Sequence, residues 1–547
     1  MIIMTLITLG LAIPAYWLTL RYNMHMYQLN GYVSSEQLEW IKKNFRLQWI
    51  LVFAMGLGLV SMLLTELKNT AVNVICILLI WLTLGVIIIV YRLMKEMNSK
   101  KPLVFTPRVK RMIATIGIVS LLMLFAPAIA GKLPGAELSE LVLAPLNGFL
   151  LWLVGAQLFM NMVACFINKP IETAINDHYL NDAKRILAEN PDLTIIGVTG
   201  SYGKTSVKFY LETLLRAKYS VLVTPESYNT PMGIVKTIRG MMKPSHEIFV
   251  CEMGARYKGE IKELCDIVHP HHGVIASVGP QHLDTFGSIE TIKDTKFELA
   301  DSLPADGLLF LNGDNEYINE HLAFMRSTGA ALPPAYTDPV IYHTEGTSGY
   351  FASDIKVTSG GTEFTANAPD GSSCAYEMKL VGAHNIINVM GAIAVAHEMG
   401  IALEDLKIPV RRLQPAKHRM EMKEQGGVTI IDDAFNSNPI GSKAAVETLA
   451  MFDGLRILIT PGMVELGEEE AEYNRKFGTY AANSCDKIFL VGRKHTEPIR
   501  EGILSEGFSE RDLEVFDRVE DAIERAYALK SDKHKYVLLE NDLPDNY

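Results

Sequence analysis

Cysteine is scarce in this chain, and no two cysteines are spaced to share a metal. Six occur in 547 residues, at 76, 165, 251, 265, 374 and 485, and none forms a CxxC pair. A structural zinc site and a disulfide framework are therefore not expected, and the scatter suits a reducing compartment. Acidic residues are few in the first 170 positions, which hold 6 Asp and Glu against 14 Lys and Arg. The remainder holds 56 against 37, so a basic first part precedes an acidic second part. An acidic soluble portion repels phosphate backbones, so nucleic acid is not an expected partner. Charge is also nearly missing from the apolar runs of the first part, and no ABC-type signature accompanies the nucleotide loop described below. Both features argue against the alternative of an ATP-driven transporter, since intramembrane charges usually mark a substrate path.

What the first part does contain is long apolar runs, near 1–20, 49–64, 71–91, 112–130 and 141–167. About 20 helical residues at ~1.5 Å each cross a hydrocarbon core of ~30 Å, so about five transmembrane helices are expected. A cleaved signal peptide would explain only the first run, which lacks a basic start. Arg21, Lys42, Lys43 and Arg46 follow the first run, and Arg92, Lys95, Lys100, Lys101, Arg108, Lys110 and Arg111 follow the third. The alternate loops contain only Lys68 and Lys132. The positive-inside rule then puts the N-terminus outside and everything after the fifth span in the cytoplasm. The expectation is a multi-pass cell-membrane protein whose residues 1–170 are an α-helical membrane domain that anchors the rest to the lipid bilayer.

Beyond position 170 the pattern becomes α/β. Residues 171–189 have helical apolar spacing and stop at Asn190 and Pro191. Strand-like runs such as 248–251 and 274–278 then alternate with helical segments, the mark of a largely parallel sheet covered by helices. Between 349 and 380 the period shifts to two, with turns at Gly360 and Gly361 and at 369–371, and a β-hairpin insert is expected there. After Leu413 new strands are expected at 428–432, 456–460, 487–491 and 536–539. The fold class is thus a membrane domain (1–170), a P-loop parallel-sheet domain with a hairpin insert (171–413) and a smaller Rossmann-like domain (414–547).

The string TGSYGKTS at 199–206 joins the first strand of the α/β part to a helix. Small glycines let backbone N–H groups approach phosphate oxygens, and a helix N-terminus adds partial positive charge. Thr199, Gly200, Ser201, Tyr202, Gly203, Lys204, Thr205 and Ser206 are therefore candidates to hold a nucleotide. Lys204 is placed to reach the terminal phosphates and Thr205 to ligate Mg²⁺. The commoner P-loop has a glycine five positions before Gly203, but here position 198 is Val. Further along, Glu252 ends a strand, where a carboxylate could hold Mg²⁺. His282 follows the next strand, and Lys296 lies in a helix.

Singly these residues are unspecific; their order is not. The loop, Glu252, QHLDTFGS at 281–288, Lys296, GAHNIIN at 382–388, His418 with Arg419, DDAFNSNP at 432–439 and MVELGE at 463–468 resemble, in sequence order, the motifs of the Mur ligases. These are ATP-dependent amide-forming enzymes of peptidoglycan synthesis, and the likeness covers about 192–500. It is strongest to the branch that adds D-alanyl-D-alanine to a UDP-muramoyl tripeptide.

The resemblance implies that Lys204 and the loop amides bind the phosphates of ATP, and that Thr205 and Glu252 hold one Mg²⁺. It implies that His282 helps hold a second, with Lys296 as the lysine that becomes carbamylated (N-carboxylated). Asn385 and Asn388 would face the adenine, Asp433 would hold the ribose, and Arg419 would reach the γ-phosphate. The groups acting at the reacting atoms would be Lys204, His282, Lys296 and Arg419. The activity implied is activation of a carboxylate as an acyl phosphate, followed by attack of an amine, in an enzyme that works by positioning and charge neutralisation.

Three departures qualify it. Membrane runs stand where the family has a UDP-sugar domain, which favours a lipid-linked or membrane-delivered envelope precursor as the carboxylate. Polyglutamate-type synthetases share that arrangement and are the alternative. Phe435 replaces a usual Tyr, and 538–547 is acidic where the relatives are basic and Ser-rich, so the amine, an amino acid or dipeptide, stays open.

Overall fold

The computed structural model describes residues 2–64, 78–97, 102–129, 143–327, 333–435 and 437–542. They divide into two compact units, one running to Asp177 and one starting at His178.

The first unit is helical. Its helices include Ile2–Leu29, Phe45–Leu64, Val86–Met97, Pro107–Ile129 and, up to Asp177, the long Leu143–Ala188. By length and composition two stretches, Leu78–Lys95 and Gly148–Ala188, could cross a membrane; Gln48–Val60 is apolar but shorter. Parts of the expected spans, 71–77, 130 and 141–142, lie outside the described residues, as do Lys68, Lys100, Lys101 and Lys132. Two sequence boundaries move. The apolar run 141–167 and the helical segment 171–189 join in one helix that passes through Pro170, at the loss of one backbone hydrogen bond. Arg92, read as a loop residue, lies in a helix and is 1% exposed.

The second unit holds two sheets. The larger has nine strands in the order β2-β3-β1-β4-β5-β6-β7-β8-β9. These are β1 Thr194–Thr199, β2 Val221–Val223, β3 Ile248–Glu252, β4 His272–Ile275, β5 Leu309–Asn312, β6 Val340–Glu345, β7 Tyr350–Thr358, β8 Gly361–Asn367 and β9 Ser373–Met378. Strands β1 to β6 pair in parallel. Successive residues feed opposite cores: Ile248 and Val250 of β3 pack with Val207 and Leu211, whereas Phe249 and Cys251 pack with Ile261 and Leu264. That double coverage explains why these strands read as unbroken apolar runs.

The expected hairpin is instead a three-stranded meander. β7, β8 and β9 pair antiparallel, and β7 adds in parallel to β6, so the insert continues the main sheet. Strand β4 ends at Ile275, earlier than expected, because the next residues bond the phosphate loop. Ala276 N–H donates to the Thr199 carbonyl, and the Ser277 carbonyl accepts from Ser201 N–H.

The smaller sheet runs β10-β11-β15-β12-β13-β14, with β10 Glu421–Gln425, β11 Val428–Asp433, β12 Leu455–Thr460, β13 Lys487–Val491, β14 Leu513–Phe516 and β15 Lys535–Glu540. Only the β10–β11 pairing is antiparallel. Strands end on the same edge, and their C-terminal ends carry Asp433 and Glu540 in register.

Candidate active site

The loop after β1 is built as the sequence suggested, and its amides are partly committed. Gly203, at φ 78°, caps the helix Lys204–Leu215. A side chain there would meet Asn388 Oδ1 at 2.6 Å, so Gly203 lets the 382–388 segment close on the loop. The Ser201 and Tyr202 amides donate to the Ser277 carbonyl and hydroxyl at 2.7 and 2.8 Å, and the Thr199 hydroxyl donates to the Met253 carbonyl. The N–H groups of the helix's first turn, which have no carbonyl four residues back, are the ones left to face a ligand. Lys204 Nζ folds over the loop onto the Gly200 and Ser201 carbonyls at 2.6 and 3.0 Å. Burial lowers its pKa to about 8, so it gains from any anion placed there.

Glu252, at the end of β3, is the anchor of the site. Its carboxylate accepts from Thr205 Oγ1 at 3.2 Å, Asn229 Nδ2 at 3.1 Å and Lys208 Nζ at 2.9 Å. The Lys208–Glu252 pair is fully buried. Neither Lys208 nor Asn229 was singled out in the sequence. Lys208 stands one helical turn after Lys204, on the face turned to the sheet, and that spacing was the available signal.

Thr205, Glu252, His282 and Arg419 line one cleft of about 270 Å³. His282 is held in the left-handed region at φ 53°. Its Nδ1 pairs with Glu465 of the MVELGE string, which also takes Arg256 at 2.9 Å. Glu465 thus reaches from the second sheet's domain to the first and sets the ring's orientation. Lys296 lies beside this cleft, 2% exposed, its ammonium 5.7 Å from the Phe286 ring. Burial, and then the Lys204 charge, push its pKa well below the lysine range. Among the described residues the one cluster of three possible metal ligands is His418, Glu421 and Asp432. Lys423 already bridges Glu421 and Asp432 at 2.9 and 3.1 Å, so a cation is in place there.

A second cleft, of about 430 Å³, shares Tyr202, Gly203, Ser206, Arg419 and Asn438 with the first. Asn385, Asn388, Asp433 and Glu540 line it. The Asn385 amide accepts from Tyr210 and donates to the Val381 carbonyl, which leaves it one N–H and one lone pair. It lies in the first turn of the helix that starts after Gly382. Its neighbour His384 has an unpartnered buried Nδ1, and burial lowers its pKa to about 4. Arg419 sits between two left-handed residues, His418 and Met420, and stacks 4.6 Å from the Phe435 ring. Asp433 is pushed up to about 6 by burial and accepts from the Met420 amide. Glu540, missed in the sequence, is pushed up to about 8 by burial and accepts from Ser437 and Thr460.

Comparison with known families agrees with this layout. The description "Mur ligase middle domain" matches residues 198–396, and "Mur ligase, glutamate ligase domain" matches 418–540. The chain belongs to the Mur ligase family. Among curated Mur ligases, the UDP-N-acetylmuramoyl-tripeptide–D-alanyl-D-alanine ligase of Bacillus subtilis is 31% identical over 55% of this chain and 63% of its own length. The Escherichia coli ligase of the same name is 28% identical over 60% and 73%. This chain therefore spans less than two thirds of the first of these relatives. Among solved Mur ligases, MurF from Thermotoga maritima in complex with ADP has a TM-score of 0.57 at 26% identity, over 67% of this chain and 80% of its own. The Mur-type match covers the phosphate loop, Glu252, His282, Lys296, Arg419 and Asp433, and leaves the helical unit outside it.

Proposed function

We propose that this chain is a membrane-anchored ligase that uses ATP to join an amine to the carboxylate of a cell-envelope precursor. The observation that carries it is the convergence of Lys204, Thr205, Glu252 and Arg419 on one cleft, with Arg419 delivered from beyond Leu413. Such a layout completes the site only when two domains meet, which favours a sequestered phosphoryl transfer. The names of the curated relatives support a D-alanyl-D-alanine-like addition to a muramoyl peptide. The two apolar helices support anchoring, while the five apolar runs and their loop charges are what favour the N-terminus outside and the α/β domains in the cytoplasm.

In this reading Lys204 and the first-turn amides bind the β- and γ-phosphates, while Asp433 takes the ribose. The precursor carboxylate attacks the γ-phosphorus, and ADP leaves with the electrons of the cleaved P–O bond. The amine nitrogen then attacks the acyl carbon, inorganic phosphate leaves, and the ammonium proton passes to solvent. Arg419 neutralises charge gathering on the transferred phosphoryl group. Thr205 and Glu252 fit Mg²⁺, being a hydroxyl and a carboxylate 3.2 Å apart and both hard oxygen donors. Mg²⁺ bound there supplies neutralisation of the phosphate oxygens. His282 and Lys296 would hold a second ion, which a cationic lysine does not fit. Burial favours the neutral amine of Lys296, and addition of its nitrogen to carbon dioxide, with one N–H proton lost to solvent, yields a carbamate with an anionic oxygen. A ¹³C resonance from labelled bicarbonate, absent in Lys296→Ala, tests that step.

The function is tested with the full chain in detergent. ATP turnover should need a carboxylate acceptor and an amine together, with a covalent product of the summed mass less water. Turnover indifferent to both substrates would refute it.

A further inference from the structure

The helical unit holds a cluster that the ligase reading does not use. Arg92 and Gln48 are 1% and 0% exposed, and Arg92 Nη2 donates to Gln48 Oε1 at 3.0 Å. The guanidinium lies 4.2 Å from the Tyr22 ring centroid and 5.4 Å from that of Tyr91. Among the described residues no carboxylate pairs with it. Four buried polar atoms here have no partner: Arg92 Nε and Nη1, Gln48 Nε2 and Tyr91 Oη.

The chemistry of that set is one-sided. The guanidinium and the amide nitrogen can only donate, and the phenol is able to donate. Gln48 Oε1 already accepts from the guanidinium, and among the described residues the other acceptors facing it are the phenol oxygens of Tyr22 and Tyr91. A buried arginine with no counter-charge among the described residues and with surplus donors beside it suits an anion rich in acceptor oxygens. Arg92 also sits near the end of the apolar stretch Leu78–Lys95, three residues before its final lysine. If that stretch spans the bilayer, this is the level at which lipid phosphates lie.

We propose that Gln48, Tyr91 and Arg92 form a phosphate-binding site within the helical unit, filled by the phosphate of a lipid headgroup or by free phosphate. The site is separate from the ATP clefts, and its ligand would hold a lipid-borne molecule on the unit that anchors the enzyme.

The test is native mass spectrometry of the full chain in detergent, titrated separately with short-chain phosphatidic acid, the matching diacylglycerol and inorganic phosphate. A one-to-one phosphatidic acid adduct is expected, with none from diacylglycerol. Arg92→Gln should weaken it at least tenfold, and Tyr91→Phe, which removes one hydroxyl, several-fold. Equal binding of inorganic phosphate, lost in the same variants, would assign the site to a soluble anion. Should Arg92→Gln fail to fold, Tyr91→Phe still decides. Adducts unchanged in folded variants, or no preference for the phosphate over diacylglycerol, would overturn the proposal. No step of the assay involves ligation, so its failure is separate from failure of the proposed activity.

Discussion

Replacing Lys208 by Met separates what holds Glu252 in place from what Glu252 does. The pair is 0% and 1% exposed, with 2.9 Å between Nζ and Oε2. Losing the lysine leaves a buried carboxylate with only Thr205 and Asn229 as donors. Breaking a buried pair from one side costs about 3–5 kcal/mol. At about 2–4 °C per kcal/mol for a domain of 150–250 residues, the melting temperature should fall on the order of 10 °C. Lys208→Met with Glu252→Gln removes both charges, so most of that loss should return. Ligation should stay absent in the double variant, because the amide cannot serve as an anionic Mg²⁺ ligand. Calorimetry of the three proteins, with ATP turnover on each, reads both quantities. If Lys208→Met melts with the wild type, or the double variant is no more stable than the single one, the buried pair is not what positions Glu252.

Other outcomes follow from the same geometry. Lys296→Ala should abolish ligation while leaving ATP binding, read by fluorescence titration, within a few-fold of wild type. Glu465→Ala frees His282 Nδ1 and removes a contact between the two domains. It should raise the Mg²⁺ concentration for half-maximal turnover about 10–100-fold, the usual effect of losing a histidine ligand's carboxylate partner, with a smaller change in KM for ATP. Glu540, raised by burial from 4.5 to about 8, holds a proton in the folded state that the unfolded state has lost. Its contribution is thus fully present below about pH 4.5 and is lost as the pH rises through about 8. Stability should decline across that window by up to about 1.4 kcal/mol per pH unit. Glu540→Gln should flatten the decline in denaturant titrations; an unchanged slope would count against a buried proton there.

Much of the α/β architecture was legible, because strands buried on both faces read as apolar runs such as Phe249 to Cys251, and because Gly203, Lys204 and Thr205 must stand together to serve a helix start. What was not legible depends on contacts between distant segments. Strand β4 stops at Ile275 because Ala276 and Ser277 bond the phosphate loop, and nothing local marks that choice. The β7–β9 insert has period two whether it stands apart or extends the sheet, so periodicity could not place it beside β6. Glu465 lies in a quoted string, yet its pairing with His282 spans 183 positions. Glu540 gains its meaning only from register with Asp433 across two parallel strands. Arg92 was read as a loop charge because its helix outlasts the apolar run that suggested it.

The central claim is that the carboxylate passes through an acyl phosphate, and isotope transfer tests it most directly. With the acceptor carboxylate labelled with ¹⁸O and the full chain turning over ATP and amine, one labelled oxygen should appear in each inorganic phosphate released. Unlabelled phosphate alongside amide product, or label found in AMP, would contradict the account.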